Sequence, residues 1–234
     1  MDTNKNSYTL IYAVVMVVVI AFMLSFVSSA LKEKQTSNVN LDRKKQILRS
    51  LKIDLKDQDA EALYDKYIIN GLIINSNAET LAESKDDTFN VDIVKESSRP
   101  LNERRLPVYI ADVDGQIKYI ISLRGAGLWG PLWGYLALND DKNTIFGVNF
   151  SHAGETPGLG ANITDAWFQN QFDGKRILDD RREFVSIAVT KAGTRSAGSD
   201  QVDAVSGGTI TSKGVEDMLY DSMSQYDRFF QRNE

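Results

Sequence analysis

Residues 10–31 contain no charged side chain, and this apolar run constrains the fold more than any other part of the 234-residue chain. Ile11, Tyr12, Val14, Val17, Val18, Phe22, Met23 and Phe26 lie on every side of a helix, so no polar face remains to meet water. At a rise of about 1.5 Å per residue the run is long enough to cross a hydrocarbon core of roughly 30 Å. Ser28, Ser29 and Ala30 are small enough for a signal peptidase, so a cleaved leader is the alternative. A leader core is shorter, roughly 7–15 apolar residues, and before the run there is only Lys5 against Asp2. An uncleaved anchor over residues 10–31 is expected, with 1–9 as a short N-terminal segment. Lys32, Lys34, Arg43, Lys44 and Lys45 follow the run, and counted alone they place the large C-terminal part in the cytoplasm. Long domains cross membranes largely regardless of charge, so the count does not decide orientation.

Composition narrows the chemistry. A net charge of −5 argues against a nucleic-acid partner held by bulk charge. Cysteine is absent and His152 is the single histidine. Disulfides, Cys-ligated iron–sulfur clusters, zinc fingers and multi-histidine metal sites are therefore excluded within the chain, and no metal site is expected. Redox chemistry would need an organic cofactor or a partner's metal. One histidine also leaves no basis for a Ser–His–Asp arrangement, and no catalytic residue is assigned.

The rest of the chain predicts an α+β fold, a mainly antiparallel sheet with flanking helices. Residues 32–100 are taken as a linker and helical membrane-proximal part, and 101–234 as the following domain. Residues 36–40 are small and polar, as in a linker. Residues 41–52 have the pattern of a basic amphipathic helix with Ile47, Leu48 and Leu51 inward. Ala60, Leu63, Tyr64, Tyr67 and Ile68 repeat helical spacing, with Gly71 as the expected stop. Residues 72–74 form a short strand candidate and 75–85 an exposed excursion. Asp114-Gly115 between apolar runs at 107–113 and 116–121 is a type I′ hairpin signal. Runs at 135–138 and 144–150 suggest a second hairpin. A short helix at 163–172 carrying Trp167 and Phe168, and a strand at 184–189, follow.

Three glycine-rich stretches stand apart from this pattern. The first, residues 125–135, sets Trp129, Trp133 and Tyr135 among four glycines and is expected as a rigid loop joining the two hairpins. The second is His152-Ala153-Gly154-Glu155-Thr156-Pro157-Gly158-Leu159-Gly160, in which proline stiffens the backbone and glycines admit close approach. The third is Asp203-Ala204-Val205-Ser206-Gly207-Gly208-Thr209-Ile210-Thr211-Ser212, followed by a helical face of Val215, Met218, Leu219, Ser222, Met223, Tyr226 and Phe230. A glycine turn feeding a helix N-terminus suits a phosphate. The spacing is not that of a Walker loop, although Lys213 is near. The same residues also fit an ordinary helix start, with Thr211 or Ser212 as N-cap.

Asp203-x-x-Ser206-Gly207-x-Thr209 resembles the flavinylation motif of the FMN-binding domain in NqrC, the C subunit of Na+-translocating NADH:quinone reductases. The family usually has alanine at the place of Gly208. Gly127-Leu128-Trp129-Gly130 resembles the family's segment beside the flavin, and Glu155-Thr156-Pro157-Gly158-Leu159-Gly160 its second loop. The resemblance implies FMN attached through its phosphate to Thr209 by a flavin transferase, which recognises Asp203, Ser206 and Gly207. It makes Leu128, Trp129, Gly130, Glu155, Thr156, Pro157, Gly158 and Leu159 candidates for the ring. Ser206, Gly207, Gly208, Ile210 and Thr211 become candidates around the attachment point. Leu159 is assigned as an apolar wall, Thr156 and backbone N–H groups as contacts of the polar ring edge, and Glu155 as loop-orienting or cofactor-adjacent. Lys191 is the candidate for the phosphate charge, while His152 is read as a loop residue without a catalytic role. The implied setting is a single-pass protein of the bacterial inner membrane, with a periplasmic domain that binds neither NADH nor quinone. Its flavin takes electrons from a partner's iron–sulfur centre to the flavin of the B subunit, in a complex with the A, B, D, E and F subunits. Two alternatives stay open: the matching G subunit of the Rnf complex, and a membrane-anchored sensor or ligand-binding module without redox function. The long segment 41–100 favours NqrC.

Overall fold

The computed structural model describes residues 6–56, 58–194 and 198–232; Asp2 and Lys5 lie outside the described residues. Helix α1 (Asn6–Ser50) runs without interruption. The linker expected at 36–40 is helical instead. No glycine or proline occurs between Asn6 and Ser50, so nothing breaks the hydrogen-bond ladder. Thr36 even returns its hydroxyl to the Lys32 carbonyl at 3.0 Å. The apolar part of α1 has a stretch of mean hydropathy 2.9 with none of it buried, and its length and composition suffice to cross a membrane. The chain divides into two compact units, Met1–Arg43 and Lys44–Glu234.

In the second unit Ile47, Leu48 and Leu51 are buried, as their spacing predicts. Helix α2 (Ala60–Tyr67) is capped by Asp59, whose side chain accepts from the Glu61 N–H. It gives way directly to strand β1 (Ile68–Ile74), so Gly71 lies inside a strand and is no helix stop. The run Ile68, Ile73, Ile74 buries better as a strand, and a Cβ at Gly71 would stand 2.6 Å from the Thr88 hydroxyl. Part of the expected excursion at 75–85 is β2 (Thr80–Glu83), which pairs with β1 at the sheet edge. Short helices α3 (Lys85–Phe89) and α4 (Ile93–Ser97) lead into the central strands β3 (Leu106–Val113), β4 (Gln116–Ala126), β5 (Pro131–Leu138) and β6 (Ile145–His152).

The fold is α+β, with a six-stranded antiparallel sheet in the order β2-β1-β3-β4-β5-β6. Asp114 and Gly115 have φ of 54° and 79°, the conformation a type I′ turn requires. The first glycine-rich stretch is not a loop between hairpins. Gly125 pairs with Leu132 and Ala126 with Pro131, so β4 and β5 extend into it and residues 127–130 alone make the turn. Glycine is tolerated there because α6 lies against the strand: a Cβ on Gly125 would meet the Met218 Cβ at 2.5 Å.

Beyond β6 the expected helix at 163–172 is broken into 3-10 turns around α5 (Ala166–Gln169). Phe168 and Phe172 are buried there, whereas Trp167 is 48% exposed. Strand β7 (Ile187–Thr190) starts later than expected, since Ser186 has φ of 60° and ends any extended run before it. It pairs in parallel with β8 (Asp200–Asp203), a polar segment without strand patterning. Helix α6 (Thr209–Met223) covers the sheet with Val215, Met218, Leu219 and Met223 buried. A 3-10 turn at Ser224–Tyr226 interrupts it before α7 (Asp227–Gln231).

Candidate functional site

The three glycine-rich stretches, separate in sequence, meet at the N-terminus of α6. A shallow cavity of about 200 Å³ is lined by Leu128 from the β4–β5 turn, by Glu155, Thr156, Leu159 and Gly160 from the second stretch, and by residues 207–211. Gly207 takes φ of 73°, and a Cβ on it would stand 2.6 Å from Leu159 Cδ2. Gly208 is the N-cap and Thr209 the first helical residue. The expectation that Thr211 or Ser212 caps the helix is therefore corrected. Both sit inside the first turn, and their hydroxyls serve tertiary contacts instead. Thr211 Oγ1 donates to Glu155 Oε2 at 2.5 Å, and Ser212 Oγ accepts from the Val205 N–H at 3.0 Å.

The two threonines next to the glycines thus differ sharply. Thr211 is 2% exposed and its hydroxyl is engaged. Thr209 is exposed, with no hydrogen bond to its hydroxyl among the described residues. The N–H groups of Thr209, Ile210 and Thr211 likewise find no acceptor among the described residues. An exposed hydroxyl beside three free first-turn donors at the positive end of a helix is a place for an anion bonded to that hydroxyl.

Residues 127–224 match a family model described as an FMN-binding domain, a span that contains the second and third stretches whole and all but the first two residues of the first. The chain is 30% identical to the C subunit of the Na(+)-translocating NADH-quinone reductase of Pseudomonas aeruginosa, over 94% of this chain and 92% of the relative. The chain belongs to the NqrC family, the C subunits of Na(+)-translocating NADH-quinone reductases. The Vibrio anguillarum NqrC is also 30% identical, over 92% of this chain and 90% of the relative. The crystal structure of the Parabacteroides distasonis NqrC superposes with a TM-score of 0.80 at 46% identity, covering 87% of this chain and 98% of that one. Shewanella oneidensis NqrC, at 24% identity and a TM-score of 0.69, shares the fold.

In this member of the NqrC family the other candidate residues fall into distinct places. Trp129 follows Leu128 in the turn but does not itself line the cavity; its side chain is 69% exposed, and its backbone N–H donates to Glu155 Oε1 at 2.8 Å. Trp133 turns away and donates its indole N–H to Gln46 Oε1, which gives it a structural role. Gly130, Pro157 and Gly158 are not among the cavity-lining residues. The Gly158 N–H donates to Asn162 Oδ1 and the Leu159 N–H to the Thr156 carbonyl, so these donors stiffen the loop and are not free for a ligand. His152 Nδ1 accepts the Glu155 N–H at 3.1 Å, a loop-shaping bond.

Lys191 is exposed just beyond β7 and does not line the cavity. Lys213 is engaged elsewhere as well: hydrogen bonds to Glu216 and Asp217 hold its ammonium above the usual lysine range. Asp203, Ser206 and Gly207 are exposed. Gln171 clasps the backbone of Asp203, accepting its N–H at 2.8 Å and donating to its carbonyl at 3.3 Å. Sequence reading missed this clasp and the Glu155–Thr211 bond. Their partners are 32 and 56 residues apart, and no local pattern marks either.

Proposed function

We propose that this chain is an electron-transfer component of a membrane Na+-translocating NADH:quinone reductase and carries FMN as a phosphoester on Thr209 Oγ1. The contrast between the two threonines carries this reading: one hydroxyl is exposed and without a partner among the described residues, the other buried and bonded. The residues present fit the cofactor. The free N–H groups of the first α6 turn suit its phosphate, and Leu128, Leu159 and Ile210 offer apolar surface for a flat ring. Thr156 supplies a polar group at the same cavity. FMN, when bound, supplies the one-electron chemistry. The chain's own contribution is to hold the attachment point, to offer walls to the ring and to present Asp203, Ser206 and Gly207 to the flavin transferase. In the complex it stands between an iron–sulfur centre of its partners and the flavin of the B subunit. The test is coexpression with a flavin transferase. The denatured chain is expected to keep flavin fluorescence and the FMN mass increment on the peptide containing Thr209. A colourless, unmodified chain overturns the reading and favours a sensor or ligand-binding module.

The cavity walls are themselves open: Leu128 is 49%, Leu159 43% and Ile210 59% exposed, and Trp129, next to Leu128 in the turn, is 69% exposed. Trimming Leu159 or Trp129 to alanine should therefore change stability by only about 0.5 kcal/mol. Because attachment is through the phosphate, both variants should still carry flavin, with an altered absorbance envelope and redox midpoint. Unchanged spectra and midpoints in both would remove these walls from the ring.

The reading also places α1 in the inner membrane and the chain from Lys32 onward in the periplasm, against the charge count around the span. A phosphatase fused after Glu234 is expected to be active only outside the cytoplasm. Activity of a cytoplasmic reporter at the same point would reverse the orientation and separate Thr209 from a periplasmic transferase.

A further inference from the structure

Glu155 is 4% exposed, yet no lysine, arginine or histidine pairs with its carboxylate among the described residues. A buried acid without a counter-cation is costly unless fixed donors replace water. Two donors do so here. The Trp129 N–H points at Oε1 and the Thr211 hydroxyl at Oε2, at 2.8 and 2.5 Å. The surrounding backbone leaves room for this one group. A Cβ on Gly127 would stand 2.5 Å from Oε1, and a Cβ on Gly160 would stand 2.7 Å from Oε2 and still nearer the Thr211 hydroxyl. Two of the glycines that make the first and second stretches unusual thus form a seat for a carboxylate.

The geometry points to Glu155 as the positioning residue that selects the attachment threonine. By taking the Thr211 hydroxyl it withdraws that group from any transferase, and by tying the first turn of α6 to the Trp129 turn it presents Thr209 outward at a set distance from the ring wall. The inference rests on flavin attachment at Thr209. In that transfer the donor is a flavin phosphoanhydride such as a flavin dinucleotide. The Thr209 Oγ–P bond forms, the anhydride P–O bond breaks, the hydroxyl proton is lost, and a nucleoside monophosphate leaves. Glu155 touches none of the reacting atoms and acts through Thr211 and the helix.

The experiment uses the full chain, purified unlabelled and then incubated with transferase and flavin dinucleotide. Labelling is followed by mass at increasing transferase concentration. Glu155→Ala is expected to lower the saturating rate by roughly 10- to 100-fold with little change in the half-saturating concentration, as misplacement of a reacting group does. Glu155→Gln keeps an acceptor for Trp129 and a donor for the Thr211 oxygen, and should recover most of the rate. Thr211→Val cuts the same link from the other end and should slow labelling while leaving Glu155 in place. It also provides the decisive comparison if Glu155→Ala does not fold. Amide exchange in the unlabelled chain should show residues 127–130 and the first turn of α6 losing protection together in Glu155→Ala and Thr211→Val. Wild-type labelling matched by folded Glu155→Ala, or by Thr211→Val, sinks the inference alone. A wild type that accepts no flavin sinks the attachment reading and this role with it.

Discussion

Thr209→Val is expected to give a folded chain with no covalent flavin, seen as loss of both the FMN mass increment and in-gel fluorescence after coexpression with the transferase. Valine keeps the shape of threonine and removes the hydroxyl. Thr209 is exposed and makes no hydrogen bond through that hydroxyl among the described residues, so little else should change. Thr211→Val should retain the label on Thr209, acquired more slowly, but at a cost of about 1–3 kcal/mol, because the buried Glu155 carboxylate then lacks one of its two donors. The two substitutions are chemically identical and two residues apart, so opposite outcomes isolate exposure and hydrogen bonding as the cause. Asp203→Ala should reduce labelling without removing the acceptor, since this residue is assigned to transferase recognition. An FMN-bearing peptide from the Thr209→Val chain would overturn the assignment.

The largest stability effect is expected beneath β6. Phe172 is fully buried and packs edge-on against Phe150 and Phe168, with ring centroids 5.2 and 5.5 Å away. Phe172→Ala removes a ring from the centre of this triad and leaves a cavity that the sheet cannot close, at a cost of about 3–5 kcal/mol. That is a large share of the roughly 5–15 kcal/mol by which a domain is stable. In a domain of this size it corresponds to a melting temperature about 6–20 °C lower. Trp167, five residues earlier and 48% exposed, is the control. Despite its larger ring, Trp167→Ala should melt within a few degrees of wild type. Thermal unfolding of the three detergent-solubilised full-length chains decides it. Equal losses for Phe172→Ala and Trp167→Ala would mean that the phenylalanine triad does not anchor this side of the sheet.

Several features follow from local pattern alone. An uncharged run without glycine or proline has only a helix open to it, and α1 spans it. Asp114-Gly115 dictates its turn because both residues accept positive φ at low cost. The apolar face of α6 matches its spacing, because helical period and burial agree there. The three glycine-rich motifs also carry enough identity to show which segments line the cavity.

What the tertiary structure decided concerns places where local preference is weak or contradicted. Gly71 has the look of a helix stop, but pairing with β2 and β3 outweighs its poor strand propensity. Residues 125–126 and 131–135 look like loop, yet the sheet extends through them because their neighbours hold them in register. Lys191 is near the motif in sequence and absent from the cavity, since where a side chain after a short parallel strand lies depends on packing. Above all, Thr209 and Thr211 are equivalent as chemistry in the sequence. Only the folded chain brings Glu155 across 56 residues to bury one hydroxyl and leave the other in solvent, because a long-range hydrogen bond leaves no trace in local periodicity.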